Sequence, residues 1–331
     1  MVDRRQLKQS TIEKAEKECR VLIYGTVEKD EFAGWKKAFE RKYPSIEIDY
    51  RREYVYGTPP PMAKKVMQEI KEGKETADAV IATVPPMMQM RDLNLLSKVK
   101  LNEAKVYPKD IRQKDGYWFP IVSIPIVQIY NPKLISKKEL PKTALDLISP
   151  KWKGAITLHD MTLGTLGAYW LACLRPIFGE KKWSKFVHGL AANRPKAFPL
   201  YDNILDSVTS GETKIGMTIL LHDLVKAKET KRNLVRLVLK DIPILTSFNA
   251  IAKTKAGKHP ASAELVIDFL ISSSGQKKIG STYVRIPARP KIDAPYSMYK
   301  LVGKEKTVMF PNKLMLANAS DSIKLFRKFF K

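Results

Sequence analysis

The sequence predicts an α/β protein of two lobes, and three observations carry that prediction. First, 331 residues exceed the roughly 250–300 at which one hydrophobic core stops growing. Second, short apolar strands alternate with amphipathic helices in two separate blocks, at the spacing of parallel βαβ units. Third, two extended apolar stretches with prolines, near 121–128 and 242–250, can carry the chain across between those blocks as hinge segments. The expected division is a charged leader over 1–19, a first lobe from 20–124 and 248–331, and a second lobe over 125–247.

Taken in order, residues 20–24 (RVLIY) run β-branched and long apolar residues together and stop at Gly25, which predicts a short buried strand. Over 29–43, Phe32, Trp35, Phe39 and Tyr43 recur every three to four residues while Lys36, Lys37, Glu40 and Arg41 take the other face. That is a helix, ended by Pro44. A strand follows over 46–50. Gly57-Thr58-Pro59-Pro60-Pro61 then breaks the chain and puts proline in the first turn of a helix whose apolar face is Met62, Val66 and Ile70. Residues 78–82 (DAVIA) form the third buried strand. The apolar stretch 116–131 is punctuated by Pro120 and Pro125, which predicts an exposed crossing rather than a central strand.

In the second block a strand at 155–158 precedes a helix over 165–174, and Trp183, Phe186, Val187 and Leu190 mark another helix over 180–192. A short helix over 203–210 closes at Gly211, and a strand spans 214–218. Residues 260–271 predict a helix with Ala263, Val266, Ile267 and Leu270 inward.

Lysine and arginine number 59 against 34 acidic residues, a formal net charge of +25, which is a statement about partners before it is one about fold. Nucleic acid, an anionic surface and an anionic small ligand compete to explain it. Nucleic-acid binders concentrate charge in a stripe, whereas lysines here recur along nearly the whole chain, so no nucleic-acid partner is expected. The densest basic run, 226–240, reads as a solvated helix face that turns into a strand at Leu234 to Val238. The C-terminal SIKLFRKFFK is a basic amphipathic segment that either packs on its own domain or touches lipid. No stretch approaches the ~18 consecutive apolar residues of a spanning helix.

Cys19 and Cys173 lie far apart without metal-ligand spacing; Cys173 reads as a small buried hydrophobe, and a single disulfide stays open. There is no nucleophile elbow, metal-ligand cluster or phosphate-cradling loop, and His159, His188, His222 and His259 form no recognisable arrangement. No catalysis and no cofactor are therefore expected; an enzyme on this scaffold would need a base such as Asp160 or Asp202 with a raised pKa. His159-Asp160 reads as a solvated pair at a strand end.

Several segments together resemble the extracellular solute-binding proteins of ABC importers, in the group that includes ferric-iron, small-anion, polyamine and thiamine binders. They are AFERKYPSIEIDY from Ala38, ADAVIA from Ala77, IYNPKLI from Ile129, LPKTALDLISPKWKGAITLHD from Leu140, SGETKIGM from Ser210, HPASAELVIDFLISSSGQ from His259 and IPARP from Ile286. The resemblance implies a class II periplasmic-binding-protein-like fold. Two α/β lobes on a two-segment hinge would close on a solute in the cleft, without chemistry, and present the closed form to a membrane permease. It also implies secretion, to the outside of the cell or the periplasm, with a membrane-tethered native form as one option; a monomer is expected. The charged stretch from Met1 is no secretory signal, so the leader would have been removed or replaced.

In such a cleft the ligand sits where strand-to-helix loops converge and helix N-termini favour an anion. The candidates are Tyr24 and Thr26; Tyr56, Gly57 and Thr58; Thr162, Gly164 and Thr165; and Tyr201 and Asp202. Ordinary turns with capping residues account for the same patterns. Together with the positive balance, the threonine- and glycine-bearing helix starts incline the reading to an anionic solute, free or as a metal chelate. If the solute is ferric ion itself, Tyr24, Tyr56 and Tyr201 are the phenolate candidates. Ferric members carry neighbouring tyrosines after the strand matching 214–218, but this chain reads TILLHDLVKAK there, with His222 and Asp223 and no tyrosine. Tyr50, Tyr54 and Tyr56 alternate onto one strand face and keep a first-lobe tyrosine site open.

Overall fold

The computed structural model describes residues 9–53, 61–108, 111, 115–163, 166–282, 284–303, 305–309, 321 and 323–328. The chain forms two compact units, Met1–Ser123 with Phe248–Gly303 and Ile124–Ser247 with Lys304–Lys331. The elements run α1 (Gln9–Glu18), β1 (Arg20–Gly25), α2 (Lys29–Lys42), β2 (Glu47–Arg52), α3 (Pro61–Lys71), β3 (Ala79–Thr83), α4 (Val84–Asp92) and β4 (Leu96–Ser97). Strand β5 (Phe119–Tyr130) enters the second unit, which continues with β6 (Ile156–His159), α5 (Leu166–Phe178), α6 (Glu180–Ala192), β7 (Lys196–Phe198), α7 (Tyr201–Ser210), β8 (Ile215–Leu220), α8 (Leu221–Glu229) and β9 (Val235–Leu237). Strand β10 (Ile244–Thr254) returns to the first unit, which adds α9 (Pro260–Ile271), α10 (Ser273–Ser281), β11 (Ile286–Pro287) and α11 (Met298–Val302), before β12 (Thr307–Met309).

In the first unit β1 pairs in parallel with β2 and β3, and β10 runs antiparallel to β3. Val21 to Tyr24 are wholly buried because both faces of this sheet are covered. Helix α2 lays Phe32, Trp35 and Phe39 inward and keeps acids in its first turn and bases in its last, matching the helix dipole. Each such side chain contributes about 2–3 kcal/mol by leaving water. Helix α9 is buried nearly all round, beyond the four inward positions the pattern predicts. Its N-terminal amides at Ala261 and Ser262 donate to the Glu18 carboxylate at 3.1 and 2.7 Å, so the end of α1 caps it. Buried charges are matched. Glu31 accepts two 2.7 Å bonds from Arg285, Asp78 faces His259 Nδ1 at 2.9 Å, and Glu103 pairs with Arg289.

In the second unit β8 lies between β5, antiparallel, and β6, parallel; β7 extends the sheet beside β6 and β9 pairs with β5. Gly211, at φ +86, closes α7 in the left-handed conformation that a side chain resists. The register of β5 on β8 slips between Val127 and Ile129, leaving one extra residue on β8.

Two expectations are corrected. Strand β5 is buried at all twelve positions rather than exposed. Its pairings with β11 at Val122 and Ser123 and with β8 from Ile126 onward lie on either side of Pro125, so the missing N–H is tolerated. The described residues from 305 onward group with the second unit, not the first: β12 pairs with β10 at Ile244 to Thr246 and Glu305 pairs with Arg236. The chain thus passes between units three times, not twice. Cys173 is buried and Cys19 exposed, and both are free.

Candidate functional site

Polar side chains gather at the carboxyl ends of the parallel strands, where open α/β sheets place their ligands. In the first unit Tyr24 is the penultimate residue of β1 and is wholly buried. Its hydroxyl donates to Glu69 Oε1 on α3 at 2.8 Å, and the Lys65 ammonium lies 4.5 Å from its ring while pairing with Glu53. Burial, then the Glu69 carboxylate, push the phenol above its ordinary pKa. Tyr24 therefore presents a protonated donor already committed to Glu69. Thr26 is half-buried and its amide donates to Ile81. Tyr50 turns away: its hydroxyl donates to Val27 O at 2.6 Å and its ring stacks on Phe32 at 3.9 Å. A Cβ on Gly25 would meet the Tyr50 ring at 2.7 Å, so only glycine fits beneath it. Tyr54, Tyr56, Gly57 and Thr58 lie outside the described residues.

In the second unit β6 ends at His159, followed by Asp160 and Thr162. Asp160 Oδ1 accepts from the Thr162 amide at 2.8 Å and from its hydroxyl at 2.7 Å, fixing a tight turn. His159 is only 3% exposed, which corrects the solvated reading. The Tyr201 ring, at the start of α7, covers it at 4.3 Å between centroids. Burial lowers the imidazole pKa against the pull of Asp160 and so favours the neutral ring. Its amide donates at 3.1 Å to the hydroxyl of Thr218, which itself donates to Met217 O at 2.6 Å. Thr218 sits in the β8 irregularity with φ +62, a region in which a β-branched side chain is strained. Sequence reasoning missed Thr218, and no residue pattern announces such a bulge.

The structure brings Tyr201 and Thr162 to the His159 turn, while Gly164 and Thr165 lie outside the described residues. Asp202 goes elsewhere. It is exposed and faces Arg232 at 4.0 Å, and Arg232 also holds Asp206 at 2.7 Å. These line a cavity of about 500 Å³ between α7 and α8 with Asp223, Lys226 and Thr230. His222 Nε2 and Asp223 Oδ1 approach to 3.5 Å at the start of α8. Among the described residues no three His, Cys, Asp or Glu side chains gather as metal ligands, and no helix is long and apolar enough to cross a membrane.

Two α/β units interleaved along the chain, each with polar groups at its strand ends, define the class II periplasmic-binding-protein fold. The chain belongs to the bacterial extracellular solute-binding protein family, whose pattern residues 74–306 match. A Serratia marcescens Fe(3+)-binding periplasmic protein is 23% identical over 217 residues, 63% of each chain. The chain thus spans 63% of the length of that relative. The major ferric iron-binding protein of Neisseria meningitidis serogroup B is 23% identical over 67% of this chain and 68% of its own. Among solved structures, iron-bound HitA from Pseudomonas aeruginosa superimposes with a TM-score of 0.75 at 21% identity, covering 94% of this chain and 99% of that one. The Trichodesmium protein with iron and citrate ligands gives 0.76 at 17% identity, over 94% and 99%. Members of this family bind solutes outside the cell or in the periplasm.

Proposed function

We propose that the protein captures a small anionic solute in the form of a ferric chelate, with ferric citrate as its model, and delivers it to the permease of an ABC importer. The carrying observation is the group at the end of β6: a buried His159 under Tyr201, beside a turn fixed by Asp160 and Thr162. In this reading the Tyr201 phenol meets the iron beside the Thr162 turn, and the buried His159 ring supports the phenol from beneath rather than touching the ligand. The names of the Serratia and Neisseria relatives and the iron and citrate of the Trichodesmium structure support the choice of cargo. A chelate suits this chain better than the bare ion. The segment after β8 offers His222 and Asp223 in place of tyrosines, so citrate carboxylates would supply the oxygen ligands that the chain does not. The net charge of +25 draws an anionic complex inward.

Thermal denaturation of ligand-stripped protein tests the reading. Ferric citrate at about 100 times its Kd is expected to stabilise the fold by about 2.7 kcal/mol, with smaller shifts for citrate alone and for ferric nitrilotriacetate. The iron-loaded protein should show a visible phenolate-to-iron band that Tyr201→Phe removes and Tyr24→Phe leaves. A shift with thiamine or polyamines and none with ferric citrate sinks the proposal.

A further inference from the structure

Helical residues 323–328 lie outside the stretch that matches the family, yet they reach the candidate site within the second unit. Arg327 Nη2 donates to the carbonyl oxygen of Thr162 at 3.4 Å. That carbonyl belongs to the turn closed by Asp160, one residue from the His159 that Tyr201 covers. The segment is anchored rather than loose. Phe326 is 2% exposed, Asp321 faces Arg175 of α5 at 3.9 Å, and upstream Glu305 pairs with Arg236 while β12 joins β10.

We propose that Arg327 is a positioning residue for solute binding: its guanidinium holds the Thr162 carbonyl, and the C-terminal segment thereby fixes the Asp160–Thr162 turn in its binding geometry. The proposal rests on the reading of that turn as part of the solute site. A guanidinium suits the task because it is always charged and offers several donors in one plane, so it grips the carbonyl oxygen of this half-buried turn at any physiological pH. Its positive charge also lies beside the turn at which an anionic chelate is expected. The buried Phe326 ring fixes the backbone from which Arg327 extends, so the loop is held from outside its own sequence.

The test compares Arg327→Ala and Arg327→Lys with the parent, all retaining Phe326. Two readouts are needed. Hydrogen exchange at the Thr162 amide reports the turn without any ligand, and isothermal titration with ferric citrate reports affinity. Arg327→Ala is expected to speed that exchange several-fold and to weaken ferric citrate about fivefold, the scale of one solvent-exposed charge-assisted hydrogen bond, at an unchanged melting temperature. Arg327→Lys, which keeps a charged donor, should recover most of both. Unchanged exchange in Arg327→Ala overturns the proposal, and so does faster exchange with an unchanged Kd. If the parent itself binds no ferric citrate, the assigned cargo fails, and the exchange readout alone still decides whether Arg327 holds the turn.

Discussion

At the scale of single residues, Thr218 and His159 form one device. Thr218 occupies a left-handed backbone position, where strain of about 1–3 kcal/mol is expected for a residue with a branched Cβ. Its hydroxyl offsets part of this by accepting the buried His159 amide. Thr218→Val keeps the strain and removes the acceptor, so urea unfolding should show a loss of about 1–3 kcal/mol. Thr218→Gly relieves the strain while losing the hydroxyl and should come out close to the parent. Equal losses in both variants would mean that packing, not the hydrogen bond, governs the site. His159 gives a pH signature. Its folded-state pKa is depressed by burial, so the folded state favours the neutral ring. The stability this contributes is complete above the ordinary imidazole value of about 6.5 and is lost as pH falls below it toward the folded-state value. His159→Gln should flatten the melting-temperature profile below about pH 6.5, the ordinary imidazole value; an unaltered slope would assign acid sensitivity to other groups.

At the scale of elements, patterns with a clear period were legible and those without one were not. The stripe Phe32, Trp35 and Phe39 marked α2, and the apolar runs at β1 and β3 were plain. Helix α4 went unread because Val84-Pro85-Pro86 opens it and six of its residues are buried, which leaves no polar face to set a period. Strand β5 defeats a local reading because proline is an edge signal, whereas tertiary pairing on either side of Pro125 accommodates the ring. Of the candidate site, the loops after the strands were legible as turn chemistry. The bond between Tyr24 and Glu69, two positions far apart in sequence, and the Thr218 bulge depend on packing that no local signal records. The cap that Glu18 provides to α9 is of the same kind, since donor and acceptor come from opposite ends of the first unit. Glu18→Ala should cost about 1–2 kcal/mol in denaturant unfolding, and a neutral result would mean that water replaces the carboxylate.

For the whole molecule, charge is the property most visible in sequence and least specific in meaning. Many acidic groups are committed to intramolecular partners, among them Glu31, Asp78, Glu103, Asp206, Asp241 and Glu305. The surplus is therefore carried by solvated lysines and arginines, whose summed field reaches beyond any one contact. The association rate with an anionic chelate should fall as the salt concentration rises from about 0.01 to 0.15 M, over which the screening length shrinks from ~30 to ~8 Å. A rate indifferent to salt would assign capture to short-range contacts alone.

The interleaved course of the chain also sets the order in which the protein can be completed as it leaves the ribosome. Strand β3 pairs with β10 through Thr83 and Asn249, so its edge has no native partner until well over a hundred further residues have been made. At about 5–20 residues per second that interval is on the order of ten seconds or more. During it, β1 and β3 expose an apolar sheet with an open border, a form that sticks to other nascent chains. A holding chaperone would therefore act on this polypeptide chiefly between the synthesis of β3 and that of β10, and ribosome-bound chains halted in that interval should aggregate most readily when stripped of one.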